Sequence, residues 1–583
     1  MHHEEFLTQM KKDQRFKKLL IDKIVNARWS GLREGNENTV EIQLLSLQSV
    51  GVLTDSSGQD LSFLVLFTEI NSRSTNLLQN GNVFAIPLCF EGELSEGMTY
   101  PPATEWHILE DIINHWKKFF KVSLGMDSGE EIFTSNVGSI NERKVFHDFK
   151  GSIEKLGGGD TTNVVLHLVP RDNDHDTIVL KLYPRVACNP TLHLSHLLQE
   201  NGFTSFPPVV LDLAFTPSFL AKLASTQGSW LKDSIKAIEH QASKLNSSIS
   251  RFFPFIQVFT FIKGDRDGGF PFWRNALESL ACGDIPASNM ENKDIMTICQ
   301  HLGSCVANFH EALLDETRLD LGAKMETMKQ QWVTLEERAQ WINEHMHEIQ
   351  STIKADIELG GIFTRAREQL SIFMAQQSRI PDNNDFKDAI NNARFQLVHQ
   401  DLHLMQMQYH PEDARFFMLD LEGDPQAHWK DKLLKFPIEK DLASLVRSFS
   451  YIKHASFRQW MGEHKGVDQD ADDSDGALDI LPFCFTSEYY APGFQEHVLA
   501  SIGITFKKWS SIKQRADKWE DAMKTMVIRE YMNKRPVSKE LMNRFMASRL
   551  ISEIFYEMQF RPRNTLVPLA GFMQWMSFQA ESD

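Results

Sequence analysis

The chain contains few cysteines, no long hydrophobic run and less positive than negative charge. Its 583 residues include six cysteines, none of them in Cys-x-x-Cys spacing, so neither a disulfide framework nor a cysteine-rich zinc site is expected. The longest apolar stretch, residues 252–262, is too short to span a membrane and is interrupted by Pro254 and Gln257. Lysine and arginine number 61 against 78 aspartates and glutamates, and this net charge of −17 argues against a nucleic-acid-binding surface.

The chain does have the composition of a globular protein, with 42% hydrophobic and 24% charged residues. Its length predicts about two to four domains. The N-terminus is charged and has no apolar run, so we expect no signal peptide, and the scattered cysteines indicate reduced thiols. We therefore predict a cytoplasmic protein with neither a membrane nor a nucleic-acid partner. The sequence leaves its oligomeric state open.

A carboxylate, an amide and a second carboxylate follow one another in an order that suits phosphoryl transfer. Asp401 is followed by Gln406, and Asp420 then ends a short apolar strand. An aspartate can accept the proton of an acceptor hydroxyl, while an amide and a carboxylate supply the hard oxygen ligands that Mg²⁺ requires. Each residue taken alone is more often an ordinary turn or surface residue. The ordered set predicts an ATP-dependent small-molecule kinase, with Asp401 as base and Gln406 and Asp420 as Mg²⁺ ligands.

Two features upstream of this set are suited to binding ATP. A glycine turn lies between two predicted strands, and glycine lets backbone N–H groups approach phosphates closely. The residues of this turn are Gly157, Gly158, Gly159, Thr161 and Thr162. Lys181 is the one lysine in an apolar strand, as is the kinase lysine that contacts the α- and β-phosphates. An ordinary hairpin turn and a lysine that reaches solvent from the strand end are alternatives that stay open.

The order of predicted elements indicates a bilobal, protein-kinase-like α+β fold in three parts. Residues 1–100 form a β-rich N-terminal cap, and residues 101–263 form an N-lobe with the glycine turn and the lysine. Residues 264–583 form a large helical C-lobe with the catalytic and metal-binding loops. Apolar spacing also predicts a helix over residues 105–121.

Several segments resemble the maltokinases and the related bacterial glucosamine kinases, within the aminoglycoside-phosphotransferase-like kinases. His399 to Gln406 is similar to the H-G-D-x-H-x-x-Q loop of that family, and Leu419 to Pro425 to its D-F-E-G-x-P segment. Residues 441–449 resemble its D-x-A-x-x-x-R-S-F helix, and residues 180–190 its lysine strand with the start of the next helix. The resemblance spans nearly the whole chain. It implies the aminoglycoside-phosphotransferase-like fold and transfer of the ATP γ-phosphate to a hydroxyl of maltose or a related sugar or amino sugar.

The resemblance also implies which side chains contact the sugar or order the surrounding loops. The candidates are His403, Glu422, Asp441 and Arg447. Recognition of a polyol requires convergent polar groups of this kind. For Arg447, a buried structural partnership with Asp441 is an equally open alternative.

The chain departs from the family pattern at several positions. Gln400 occupies the position of the usual glycine, and His193 occupies the position of the helix glutamate that would pair with Lys181. The acidic loop over residues 463–480 and the long segment over residues 324–395 have no obvious counterpart, so the acceptor can differ from maltose. The acidic loop lacks the glycine and the closing glutamate of an EF-hand, and we expect it to be solvated rather than calcium-bound.

Three hypotheses follow from these observations. The first is an ATP:sugar phosphotransferase of the maltokinase kind. The second is a kinase for another small alcohol or an aminoglycoside-like acceptor. The third is a nucleotide-binding pseudokinase that serves as a scaffold. His193 and Gln400 favour the third hypothesis. The catalytic and binding residues that are present oppose it, namely Asp401, Gln406, Asp420 and Lys181.

Overall fold

A computed structural model shows that the chain folds into two compact units. The described residues are 2–25, 40–54, 60–72, 83–91, 107–108, 132–137, 151–156, 163–170, 177–226, 229–262, 266–281, 293–314, 319–352, 360–377, 384–428, 431–465, 493–501 and 503–582. The first unit comprises Met1–Ile262 together with Asp420–Leu433, and the second comprises Lys263–Leu419 together with Leu434–Asp583. The segment that begins at Asp420 therefore folds with the first unit, although its neighbours in sequence fold with the second. The further division into a cap and an N-lobe stays a prediction.

The first unit begins with two helices and a four-stranded antiparallel sheet. The helices are α1 (His2–Lys12) and α2 (Gln14–Val25), and the strands, in sheet order, are β1 (Val40–Thr54), β2 (Asp60–Ser72), β3 (Val83–Glu91) and β4 (His107–Ile108). Every side chain from Phe63 to Phe67 is fully buried, as expected for an apolar strand covered on both faces. The helix predicted over residues 105–121 is wrong at its start, because β4 pairs with β3. Residues 109–121 lie outside the described residues.

A six-stranded sheet follows and carries the predicted nucleotide lysine. Its strands are β5 (Phe133–Val137), β6 (Gly151–Lys155), β7 (Val164–Pro170), β8 (Ile178–Leu182), β9 (Val209–Phe215) and β10 (Pro254–Thr260), in the antiparallel order β5-β9-β10-β8-β7-β6. In β8 the side chains of Ile178, Leu180 and Leu182 are buried in the core. Because strand side chains alternate between faces, Lys181 lies on the opposite face.

One hydrophobic core joins the two sheets and the helices of the first unit. In the described part of this unit, three further helices follow: α3 (Thr191–Glu200), α4 (Pro217–Thr226) and α5 (Ser229–Lys244). The core runs from Phe6 of α1 through both sheets to Leu231 of α5. Phe67 of β2 meets Phe215 of β9 edge to face, with ring centroids 5.7 Å apart. A bridge between Phe84 of β3 and Arg185, just beyond β8, ties the sheets together at the backbone.

The second unit is mainly helical. Its helices are α6 (Phe270–Ala281), α7 (Lys293–Ala312), α8 (Leu321–Thr352), α9 (Gly360–Gln377), α10 (Asn384–Asn392), α11 (Glu439–Lys465), α12 (Phe494–Ser501), α13 (Phe506–Met532), α14 (Lys539–Phe560) and α15 (Leu566–Ser582). Its strands are β11 (Arg266–Asp267), β12 (Phe395–Gln396), β13 (Met407–His410), β14 (Arg415–Met418) and β15 (Phe436–Pro437). The hydroxyls of Thr505 and Ser538 cap α13 and α14, each accepting a backbone N–H of the first turn.

The α+β class and the predicted order of elements are confirmed. Strands predominate up to β10 and helices predominate after it, and α3 begins directly after Pro190 as predicted. Of the acidic loop over residues 463–480, residues 463–465 belong to α11, and residues 466–480 lie outside the described residues. Within the described ranges, no helix is both long enough and apolar enough to cross a membrane.

Candidate active site

In the first unit, Lys181 is paired with two carboxylates of one turn. Its Nζ atom lies 2.5 Å from Oδ1 of Asp420 and also contacts Oε1 of Glu422. Only 14% of the Lys181 side chain is exposed. Burial lowers the pKa of Lys181, but the two carboxylates more than offset that effect, so the pKa lies well above its ordinary value. The lysine is therefore a permanent positive charge.

A tight turn brings both carboxylates to this lysine. The φ angle is +55° at Asp420 and +76° at Gly423, and both values lie in the left-handed region that glycine adopts most easily. Between the two acids, Leu421 is buried and anchors the turn. Asparagine and aspartate tolerate the left-handed conformation better than most residues do, which explains why Asp420 can occupy this position.

Glu422 also connects the lysine to the start of β7. Its Oε1 accepts a hydrogen bond of 2.5 Å from Nδ2 of Asn163, which is buried. Burial raises the pKa of Glu422, Lys181 opposes that rise, and the like charge of Asp420 adds to it. Asn163 directly follows the predicted phosphate turn, whose residues 157–162 lie outside the described residues.

Lys181 thus takes its acidic partners from the Asp420 turn and not from α3. His193, at the predicted position of the helix glutamate, is buried, and its Nδ1 lies 3.1 Å from the hydroxyl of Ser247. Its ring also packs against Phe252, with centroids 5.1 Å apart. The residue therefore has a packing role. Its presence does not leave the lysine without a carboxylate.

In the second unit, a buried carboxylate orders the predicted catalytic loop. Asp441 of α11 accepts the backbone N–H groups of His399 and Gln400, each at 2.7 Å. Nε2 of His310 lies 3.1 Å from the same carboxylate, and burial lowers the pKa of this histidine. The Asp441 side chain has no exposed surface. Of the two roles predicted for Asp441, ordering the loop agrees with this burial and contact with a sugar does not.

Gln400 keeps a backbone shape that glycine adopts without strain. Its φ angle is +68°, in the left-handed region. A residue with a Cβ atom pays a steric cost there that glycine does not pay. The backbone at Gln400 is therefore strained. The N–H group of this strained residue is one of the two that Asp441 accepts.

Asp401, the predicted base, is paired with two basic side chains. Nη1 of Arg549 donates a hydrogen bond of 2.7 Å to its Oδ1, and Nε2 of His403 lies 3.7 Å from its Oδ2. Burial raises the pKa of Asp401, but Arg549 and His403 lower that pKa by more than burial raises it. The pKa therefore lies well below its usual range. Asp401 is therefore a carboxylate throughout the physiological pH range.

Arg447, a predicted sugar contact, instead belongs to a buried ion pair. Its Nε and Nη2 atoms each donate a hydrogen bond of 3.0 Å to Oε2 of Glu553. Both side chains are buried. The alternative prediction was that Arg447 is buried and paired with Asp441. Arg447 is buried, but the partner in this ion pair is Glu553. A sugar contact of Arg447 does not agree with this burial.

Gln406 and Asp420, the predicted Mg²⁺ ligands, belong to different units. Gln406 ends a short 3₁₀ turn, and its backbone oxygen accepts the N–H of Leu419, the residue before Asp420. The Asp420 side chain is partly exposed. No group of three or more His, Cys, Asp or Glu side chains that could hold a metal occurs in the part of the chain described here. Amide and carboxylate oxygens are hard ligands of the kind that Mg²⁺ takes, and the metal-binding role of these two residues stays a prediction.

The sequence analysis missed three residues of these networks: Asn163, Arg549 and Glu553. The i,i+4 spacing of Arg549 and Glu553 on α14 was a usable sign of an ion pair on one helix face. That spacing did not indicate the contact between Arg549 and Asp401, which lie 148 positions apart. Asn163 is adjacent to the predicted phosphate turn, and that adjacency was the one signal for it.

No family model matches the chain, and no curated protein matches it. Among solved structures, it is similar to a glucosamine kinase in complex with glucosamine, ADP and inorganic phosphate, with 13% identity and a TM-score of 0.45 over 93% of this chain and 96% of that one. It is also similar to an ethanolamine kinase of Plasmodium vivax, with 10% identity and a TM-score of 0.25 over 76% of this chain and 89% of that one. These TM-scores are low, and the similarities assign neither a family nor an activity.

Proposed function

We propose that this protein is an ATP-dependent kinase that transfers the γ-phosphoryl group to a hydroxyl of a small molecule, with maltose or a related sugar or amino sugar as the acceptor. The observation that carries the proposal is the largely covered lysine of β8, whose side chain is 14% exposed and is paired with Asp420 and Glu422 of one turn. Kinases bind the phosphates of ATP with a strand lysine and hold the metal with a nearby aspartate. Lys181 and Asp420 would perform these two tasks.

Asp401 is the base in this proposal. The N–H groups of the two preceding residues are bound by Asp441, which fixes the loop before a substrate arrives. A carboxylate of low pKa is a weak base, but the transition state of phosphoryl transfer is loose and depends mainly on alignment of the hydroxyl. Asp401 would orient the acceptor hydroxyl and take its proton. His403, beside Asp401, is the proposed acceptor contact.

Asp420 and Gln406 would hold Mg²⁺, which when bound neutralises charge on the phosphate oxygens. The predicted turn of Gly157 to Gly159 with Thr161 and Thr162 would cover the phosphates with backbone N–H groups. The bond between Asn163 and Glu422 supports this role, because it ties the residue after the turn to a partner of Lys181. These residues support ATP with Mg²⁺ as the proposed cofactors.

A direct test measures ADP release by the purified protein with Mg-ATP and a panel of sugars and other small alcohols. We expect release that depends on one class of acceptor. Asp401→Asn should lower the turnover number by about 10²- to 10⁴-fold while leaving ATP binding largely intact. Asp413→Asn is the matched control, since Asp413 is an exposed carboxylate paired with His410, and it should retain wild-type turnover.

The outcomes of this test separate the hypotheses. Equal turnover of Asp401→Asn and wild type would show that Asp401 is not the base. ATP binding without acceptor-dependent ADP release would favour the scaffold hypothesis. ADP release that depends on an alcohol other than a sugar would support the hypothesis of a kinase with a non-sugar acceptor. Loss of turnover in the Asp413→Asn control would show that removing any carboxylate of this unit damages the protein.

A further inference from the structure

Arg549 lies against the candidate base and comes from a helix that is distant in sequence. Its Nη1 donates a hydrogen bond of 2.7 Å to Oδ1 of Asp401, and its Nε donates one of 2.9 Å to Oε1 of Glu553. The exposed fraction of the side chain is 23% for Arg549 and 11% for Asp401. Both side chains are therefore partly exposed, and their charged groups are in direct contact. A charged molecule that approaches the Asp401 carboxylate consequently also experiences the charge of the guanidinium group.

A second ion pair fixes the position of this guanidinium group. Glu553 accepts Arg549 at Oε1 and Arg447 at Oε2. Asp401, Arg549, Glu553 and Arg447 thus form a chain of alternating charge, with two positive groups and two negative groups. The guanidinium of an arginine is always charged, so Arg549 and Arg447 stay positive at every relevant pH. The negative charge of Asp401 is consequently offset by a fixed positive charge in direct contact with it.

We propose that Arg549 is a specificity-determining residue that neutralises the acceptor side of Asp401, so that the acceptor is an alcohol without a positive charge near its reacting hydroxyl. This inference rests on the proposed kinase function and narrows its substrate class to neutral or acidic sugars and polyols. It excludes amino sugars and amino alcohols as preferred acceptors. Arg549 also acts as a positioning residue for Asp401, because it binds one carboxylate oxygen and leaves the other directed toward His403.

The physical reason is a difference in charge at the same place. A free carboxylate attracts an ammonium group, whereas a carboxylate paired with a fixed arginine places a like charge within reach of that group. A neutral hydroxyl meets no such repulsion, and the guanidinium can donate hydrogen bonds to sugar oxygens. The pair therefore discriminates by repelling the cation rather than by binding the neutral acceptor more tightly.

The test compares matched acceptors that differ by an amine: glucose with glucosamine, and ethylene glycol with ethanolamine, at a pH where both amines are protonated. With the full chain and Mg-ATP, we expect wild type to favour the neutral member of each pair by about tenfold or more in kcat/KM. Arg549→Met should reduce that preference by about tenfold, mainly through a lower KM for the amine. Arg549→Lys keeps the charge and should retain the preference within about threefold.

A matched control lies on the same helix. Nε of Arg544 binds Glu540 at 3.0 Å with the same i,i+4 spacing, so Arg544→Met removes an equivalent ion pair. It should leave the acceptor preference unchanged. Melting temperatures of all variants show which of them are folded. If Arg549→Met does not fold, Arg549→Gln takes its place, and the same ratio decides the outcome.

The experiment separates failure of this inference from failure of the kinase function. If wild type phosphorylates the panel but prefers the amines, or if Arg549→Met leaves the ratio unchanged, the inference is overturned and the kinase function stands. If wild type phosphorylates neither pair, the kinase function fails for these acceptors, and calorimetric binding of the same pairs in the presence of a non-hydrolysable ATP analogue decides the inference. Tighter binding of the neutral members that disappears in Arg549→Met supports it, and any other binding result overturns it.

Discussion

Two charged residues of the described networks, Lys181 and Asp401, each contact more than one ionisable side chain. Lys181 contacts Asp420 and Glu422, and Asp401 contacts Arg549 and His403. Removal of one member from a buried ion pair leaves an uncompensated charge, which costs about 3–5 kcal/mol. Substitutions in these networks are therefore expected to lower stability as well as turnover. Activities of such variants have to be compared on protein that is shown to be folded.

Gln400 offers a test of backbone strain in the catalytic loop. Its side chain is buried and its φ angle is +68°. Gln400→Gly and Gln400→Ala both remove most of the side chain, but the alanine still carries a Cβ atom in the left-handed region. We therefore expect the glycine variant to be more stable than the alanine variant by about 1–2 kcal/mol. Urea unfolding of the two variants side by side measures this difference.

The comparison of two truncations controls for the lost side-chain contacts, since both variants lose them. Asn308, an exposed residue of α7, provides the second control through Asn308→Gly and Asn308→Ala. In a helix the order reverses, and alanine should be the more stable of the two. An alanine variant at position 400 that equals or exceeds the glycine variant would contradict the inferred strain.

The burial of Glu557 in α14 leads us to expect that the free energy of unfolding depends on pH. Burial raises the pKa of Glu557 to about 7, and Arg561 opposes that rise without cancelling it. From its ordinary value of 4.5 up to about 7, the folded protein therefore binds more protons than the unfolded chain. The contribution of Glu557 to the free energy of unfolding is fully present below its unfolded pKa of 4.5. It is lost as the pH rises through the folded pKa of about 7.

Glu557→Gln removes this titration. Relative to wild type, the variant should gain free energy of unfolding between about pH 5 and about pH 8, because only wild type has to ionise a buried carboxyl group. Denaturant unfolding at both pH values measures the change. The exposed Glu344→Gln, which removes the same charge from the surface of α8, corrects for the change in net charge. A difference between variant and wild type that is the same at both pH values would refute the assignment.

At the scale of secondary-structure elements, three helices hold the network around Asp401. Helix α11 supplies Arg447, and α14 supplies Arg549 and Glu553. Helix α15 makes room for Arg447 with a glycine, because a Cβ atom at Gly571 would lie 2.7 Å from Nη1 of Arg447 and 3.0 Å from Cδ2 of Leu550. The close approach of α15 to these side chains therefore depends on the absence of a side chain at this position.

Gly571→Ala should destabilise the protein for that reason. Overpacking in a close-packed interior costs about 1–3 kcal/mol, and the better helix propensity of alanine returns about 1 kcal/mol of it. Gly322→Ala at the start of α8 is the control, since the nearest atom to its added Cβ would be the carboxylate of Asp320 at 3.3 Å. Thermal unfolding should show a lower melting temperature for the first variant and an unchanged or higher one for the second. The opposite order would contradict the described packing.

At the scale of the whole molecule, local sequence patterns predicted the order of the elements. The alternation of apolar residues in β8 and the proline before α3 were sufficient to predict these elements correctly. The spacing of Asp401 and Gln406 also predicted a loop that the structure describes within the second unit. Patterns of this kind depend on residues that are close in sequence, and the prediction succeeded where the structure is determined locally.

Such local patterns could not predict contacts between residues that are far apart in the sequence. Asp420 lies 239 positions after Lys181, and Arg549 lies 148 positions after Asp401. Whether a polar residue is buried also depends on its distant neighbours, which is why the sequence left open whether Asp441 and Arg447, both buried, contact a sugar or order the structure around them. His107–Ile108 became a strand because β3 offered an edge for pairing, a tertiary effect that overrides the local helical pattern.

The measurement that tests the central claim most directly is phosphorus NMR of the full chain with Mg-ATP and each acceptor of the panel. We predict a new phosphomonoester resonance that grows with ADP in the presence of one acceptor, and a rate lowered by about 10²- to 10⁴-fold in Asp401→Asn. ATP that binds but yields no phosphomonoester with any acceptor would contradict the claim that this chain is a small-molecule kinase, and a product that forms equally fast in Asp401→Asn would contradict the role of Asp401 as its base.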